Sequence, residues 1–268
     1  MIATIKAEWR KSIRRPALLI GSGIIAGAVV LVYSVLWYQA THPGSSEGPV
    51  SILTLYSDAF VKNVIGAGYP LGAALAIILG AIIAGSEYSW GTMKTLLTQR
   101  PGRLTVWAGR MAVFLTWTAI MTAILFVVGA ASSVVVVTFQ GHPIAWPSLL
   151  DIATGFGAIW LVFSVNGALG LALGVFLRQS AAALGAGIVY LLAVEILVVR
   201  NIVALNDGAY KQIGDFFLGQ NSGALLRSIS HPSANGSISP EQAVLVLFAY
   251  LAGLLAIAAA LQRVRDVA

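Results

Sequence analysis

Residues able to do chemistry are few in this sequence. The densest group is Ser86–Arg110, SEYSWGTMKTLLTQRPGRLTVWAGR, the longest polar interruption between hydrophobic runs on the basic side of the chain. Read as a helix at 100° per residue, it places Glu87, Gly91, Lys94 and Thr98 within about 60° of one another, with Trp90, Met93 and Leu97 on the adjacent face. One stripe suits a membrane or a helix bundle, and the other is left for a partner. Gly91 lies within the polar stripe, where the missing side chain lets another backbone approach. Glu87 at the start of such a helix suits the positive end of its dipole, and Pro101-Gly102 predicts its end. An ordinary amphipathic loop at a membrane interface would share this pattern.

Elsewhere the constellations of catalysis are missing. No G-x-x-x-x-G-K-[ST] occurs, so the chain cannot cradle ATP phosphates through a P-loop. His42, His142 and His231 fall singly in three loops, without metal-ligand spacing. No Ser/His/Asp set converges in one segment, so the sequence does not read as an enzyme. Glu195 is the one acid well inside an apolar run, followed by Arg200. Its simplest reading is a side chain near the interface that snorkels to water; the second is a polar feature of a substrate path. Asn166 reads first as an interhelical hydrogen bond and second as a pathway residue.

The elements that must position these residues are apolar. Of 268 residues, 58% are hydrophobic and 10% charged, against about a quarter charged in soluble domains. Together with a mean hydropathy of +0.88 this predicts an all-α, polytopic membrane protein with one domain over residues 1–268. The absence of cysteine excludes disulfides, thiol catalysis and thiolate metal sites. Six runs reach the roughly 20 residues that a span needs: about 17–38, 66–85, 111–138, 152–177, 181–199 and 243–261. The first is too long for a signal-peptide core, so no cleavable signal is expected. The third exceeds what a straight span needs, and splitting it would move the C-terminus across the membrane.

Residues 1–16 form a basic amphipathic helix expected to lie in the interface. Ile2, Ile5, Trp9 and Ile13 make its apolar face, and Lys6, Arg10, Lys11, Arg14 and Arg15 spread over the other. With the N-terminus inside, the inner segments hold Lys6, Arg10, Lys11, Arg14, Arg15, Lys94, Arg100, Arg103, Arg110, Arg178, Arg263 and Arg265. The outer segments hold only Lys62, Arg200, Lys211 and Arg227. This bias predicts both termini in the cytoplasm, and the +6 net charge therefore reports orientation rather than nucleic-acid binding. The outer loop 200–242 has amphipathic patches that predict two short helices joined near Gly219–Gly223. Arg178-Gln179-Ser180 reads as a tight inner hairpin. Gly23–Gly27, Gly68–Gly72 and Gly170–Gly174 are small-xxx-small pairs that favour close helix packing.

The pattern E-Y-S-x-G-T-x-K-x-L-L, then a basic residue, a turn, Arg103 and Arg110, resembles the loop after the second span in type-2 ABC transporter permeases, the membrane subunits of many bacterial exporters. Lys is the more usual residue where this chain has Arg110. The resemblance implies that residues 86–105 are a cytoplasmic coupling element and that Glu87, Tyr88, Gly91, Thr92, Lys94, Arg100 and Arg103 meet a separate ATPase, with Trp9, Arg10 and Arg14 on the interface helix beside it. It also supports the extracellular helical hairpin between spans five and six. It further implies a permease of the inner (plasma) membrane, paired with a second copy or a related permease and with two cytosolic ATPase subunits. Those subunits bind ATP and Mg, and the chain itself carries no cofactor. Asn166 and Glu195 are its candidate pathway residues. The alternative is a non-transporting anchor or sensor subunit of a membrane complex. Substrate identity is not legible: lipids, peptides, antibiotics and ions are all moved by similar permeases.

Overall fold

The computed structural model describes residues 2–42, 51–89, 102–199, 201, 214–231 and 238–264. Among these residues every regular element is helical: α1 (Ile2–Ile13), α2 (Pro16–Thr41), a 3₁₀ turn (Ile52–Leu55), α3 (Phe60–Ser89), α4 (Arg103–Phe139), α5 (Leu149–Leu177), α6 (Ser180–Val189) with a π-helical continuation (Tyr190–Val199), α7 (Leu218–Ser230) and α8 (Pro240–Val264). Five of them, α2, α3, α4, α5 and α8, are long and apolar enough to cross a membrane. The fifth apolar run instead forms α6 and its π-helical continuation.

Helix ends follow local chemistry. Pro16 opens α2 at a position where a missing N–H costs nothing. Ser148 caps α5, its hydroxyl accepting from Asp151 N at 3.1 Å. The α5–α6 hairpin turns at Arg178, a non-glycine residue in the left-handed region (φ 54°), as tight as the three-residue spacing predicts. Several boundaries move outward from the sequence reading. The second span begins at Phe60 because Phe60, Val61, Val64 and Ile65 point into the core and extend the helix. The third is one uninterrupted helix of 37 residues, about 55 Å long, and is not split.

At the bundle centre α5 lies against α3, its most extensive partner. The crossing is made of glycine. A Cβ on Gly80 would lie 2.8 Å from Leu171 N, and one on Gly170 would lie 2.8 Å from the Ile77 carbonyl carbon. Backbone therefore meets backbone, as small residues allow where helices pack without a hydrophobic driving force. Of the three expected glycine pairs, two serve such internal packing: Gly68 and Gly72 receive Leu125 and Phe163, and Gly170 and Gly174 receive α3. The third pair, Gly23 and Gly27, has nothing within 4 Å and lies open on α2.

Around this seam the core continues through Phe114, Leu125, Phe163 and Leu171, all fully buried. Helices α2 and α8 sit at the periphery with large apolar side chains outward, among them Leu31, Leu245 and Phe248. At the bundle end away from α1, the 3₁₀ turn and the α4–α5 loop are tied together. Ser57 Oγ donates to Ala145 O at 2.6 Å, Phe60 stacks edge-on to Trp146, and His142 tilts over Tyr56.

Candidate functional site

Two polar clusters are buried in the bundle, one at each end. The first joins α1 to the helices that flank residues 90–101. Trp9 stacks on Trp117 of α4 with ring centroids 5.7 Å apart. Trp117 Nε1 donates to Ser12 Oγ at 2.8 Å, and that hydroxyl donates back to Trp9 O at 2.8 Å. Gly109 lets α1 sit close, since a Cβ there would touch Thr4 Cγ2 at 3.0 Å. Arg15, at the α1–α2 junction, donates through a terminal guanidinium nitrogen to Ile82 O of α3 at 3.0 Å. Lys11 pairs with Glu8 at 3.5 Å, and Arg110 lies wholly buried within electrostatic reach of Glu8 and Tyr88.

Burial has a cost in charge. Lys11 is pushed down to about 8 from its usual 10.5, first by desolvation, with Arg110 and Arg15 adding to the shift and Glu8 opposing it. Arg15 is lowered by the same burial, again against Glu8. The face that α1 turns inward is therefore polar. Glu8, Ser12 and Arg15 are buried, Ile5 and Trp9 are half-buried, and Ile2 and Ile13 are exposed. Periodicity marks Ile2, Ile5, Trp9 and Ile13 as the face for the membrane interface. Which polar groups turn toward the bundle is decided by tertiary contact, because Trp117 and Ile82 O supply partners for Ser12 and Arg15. Arg10 on α1 and Arg14 just past its end are exposed.

Of the expected coupling element, only the two flanks lie among the described residues. Glu87 and Tyr88 belong to the last turn of α3, and Arg103 is the first residue of α4, with Gly102 as its N-cap. Glu87 thus lies on the helix that leads into residues 90–101. Gly91, Thr92, Lys94 and Arg100 lie outside the described residues. The end of α3 is also seated on the α5–α6 hairpin, where Gly85 leaves room for Ser180 (2.6 Å from an added Cβ to its Cα). Mechanically, α1 is fastened to α4 by Trp9, Ser12 and Gly109 and to α3 by Arg15.

The second cluster surrounds Glu195, which is 6% exposed and does not snorkel. Tyr190 OH donates to its Oε1 at 2.6 Å. This contact depends on the π-helix: in an α-helix residues five apart diverge by 140°, whereas i→i+5 bonding brings them onto one face. From α7, Gly219 presses on the carboxylate, and a Cβ there would lie 2.5 Å from Oε2. Tyr69 OH of α3 reaches Gly219 O at 3.5 Å, and Tyr250 OH of α8 donates to Phe216 O at 3.1 Å. The predicted break at Gly219–Gly223 is absent, because α7 runs unbroken from Leu218 to Ser230. Asn221 anchors its first turn by donating to Asp215 O and Phe217 O, each at 2.8 Å. The part of the expected two-helix segment before Gly214 lies outside the described residues. Asn166 is buried but bonds within its own helix, Nδ2 donating to Val162 O at 2.9 Å, so the interhelical reading is corrected.

The sequence alone does not mark Glu8, Ser12, Arg15, Arg110 and Trp117 as one site. Arg110 offers a signal, a cation with a long apolar run behind it. Among the described residues no group of three His, Asp or Glu could hold a metal ion. What the two clusters offer is attachment between helices.

Compared with known families, residues 4–194 match the family described as ABC-2 family transporter protein. The match takes in α1 from Thr4, both helices flanking residues 90–101, and the π-helical continuation of α6 up to Val194. No curated protein matches the chain.

Proposed function

Because the chain belongs to the ABC-2 family of transporter proteins, we propose that it is the permease of an ATP-driven exporter, coupled to separate ATPase subunits through residues 86–105 and α1. The family makes it a multi-pass membrane protein and a membrane subunit of an ABC transporter. The observation that carries the coupling is the attachment of α1 to α3 and α4, the two helices that lead into and out of residues 90–101. Closure of two ATP-bound subunits against that loop moves α1, α3 and α4 together. By linkage, nucleotide and substrate shift the permease between inward- and outward-facing states only by favouring one of them.

In this reading α6 with its π-helical continuation is the fifth of six spans and both termini are cytoplasmic. Two permeases pair through the first and fifth spans. The open Gly23, Gly27 and Gly185 support that pairing, since each leaves space for another backbone. A single permease with one ATPase in native mass spectrometry would overturn it. Topology is checked by cysteine labelling on this cysteine-free background. Ser45→Cys, Ser148→Cys and Ser233→Cys should react with an impermeant reagent from outside, and Thr98→Cys and Val267→Cys should not.

Coupling is tested on the complex reconstituted with its ATPase. Glu87→Ala and Gly91→Leu should insert normally and lose transport, while basal ATP turnover persists or falls. Variants that transport as well as the parent would refute the role of this stretch. They would favour instead a membrane anchor or sensor that carries nothing.

A further inference from the structure

A cleft of about 670 Å³ opens between α2, the 3₁₀ turn, α3 and the end of α7, and neither buried cluster uses it. Its size falls within the ordinary range of small-molecule sites. Its lining is mixed. Lys62, Asn63 and His231 supply its polar groups, and Val32, Leu36 and Leu71 supply apolar ones. Lys62 and Leu71 are nine residues apart on α3, about 13 Å of helix. Among the described residues that line the cleft, Lys62 is the charged side chain and none is an acid. It is exposed and makes no salt bridge among the described residues.

Between Lys62 and Leu71 lies a gap in the helix. Pro70 has no N–H, so the Gly66 carbonyl lacks its usual i+4 donor, and a Cβ on Gly66 would meet nothing within 4 Å. Both residues line the cleft. Beside it the surface stays apolar, with Leu31, Val35 and Leu53 exposed. The site therefore joins a cation to an apolar wall continuous with an exposed apolar surface.

We propose that this cleft binds an anionic phospholipid of the surrounding bilayer, its phosphate at Lys62 and His231 and an acyl chain along Val32, Leu36 and Leu71. The inference concerns binding alone and does not depend on export or on ATPase coupling.

The test exposes the purified full-length permease to vesicles of equal phosphatidylglycerol and phosphatidylcholine and reads retained lipid by native mass spectrometry. The parent should retain phosphatidylglycerol over phosphatidylcholine by about fivefold, which is what one lysine near an anionic lipid supplies. Lys62→Gln should retain both equally, and Gly66→Trp, which fills the cleft, should retain neither; unchanged melting temperatures would show that both variants fold. Equal retention by the parent would overturn the proposal, as would a preference that survives Lys62→Gln. Retention unaffected by Gly66→Trp would do the same. Displacement of phosphatidylglycerol by millimolar inorganic phosphate would reduce the site to a headgroup contact, and dissociation of a dimer by Gly66→Trp would make the occupant a second copy of the chain. Either result refutes the lipid assignment.

Discussion

Gly80→Ala adds one methyl group at the α3–α5 crossing, and the expected loss is large for so small a change. The new Cβ would lie 2.8 Å from Leu171 N and 2.9 Å from the Gly167 carbonyl carbon, and nearer still to the carbonyl oxygen. Restoring ordinary 3.4 Å contact to Leu171 N alone requires the helices to part by at least about 0.6 Å. A gap of that size forfeits about a quarter to a half of each dispersion contact along the seam. Backbone atoms cannot rotate away as a flexible side chain would. Overpacking of this kind costs about 1–3 kcal/mol, and the better helix propensity of alanine returns up to about 1 kcal/mol. A net loss of about 1–2 kcal/mol corresponds to a melting temperature lower by about 2–8 °C for a chain of this size. The control is Gly157→Ala on α5, where an added Cβ meets nothing within 4 Å and propensity alone acts. Thermal melts of both variants in the same detergent give the comparison. Equal melting temperatures would show that the crossing is looser than described and that its glycines are incidental.

The two buried clusters carry three further expected outcomes. Tyr190→Phe removes the donor to the Glu195 carboxylate and should lower stability by about 1.5–3 kcal/mol in thermal melts, with Glu195→Gln in the same background recovering part of the loss. Trp117→Phe keeps the ring stack but loses the bond to Ser12, costing about 1 kcal/mol, and should speed tryptic cleavage after Arg10 and Arg14. The Lys11 shift sets a pH dependence. Its pKa is about 8 folded and about 10.5 unfolded, so between these values the unfolded chain binds more protons and stability rises with pH. Below about pH 8 both states are charged and the penalty is complete. Melting temperatures measured from about pH 7.5 to 9.5 should climb for the parent and stay flatter for Lys11→Met.

The apolar runs and their order were legible in the sequence because span length and lack of charge are local properties, fixed by about 30 Å of hydrocarbon. So were the unbroken third helix and the tight turn at Arg178, and the family showed in the spacing around Glu87–Arg110. What lay beyond local pattern was decided by contact between distant helices. Periodicity set Ile2 and Ile13 on the face for the membrane interface, but that Ser12 and Arg15 face the bundle was decided by Trp117 and Ile82, 105 and 67 residues away, which supply their partners. Glu195 read as a residue reaching for water. It is buried instead because a π-helical turn brings Tyr190 onto it and Gly219 of α7 covers it, and no window along the sequence contains that meeting. Glycine spacing marked three candidate seams alike. Only the tertiary structure separated the two that close on backbone and side chain from Gly23–Gly27, which remains open, because a missing side chain has an effect only through what approaches it.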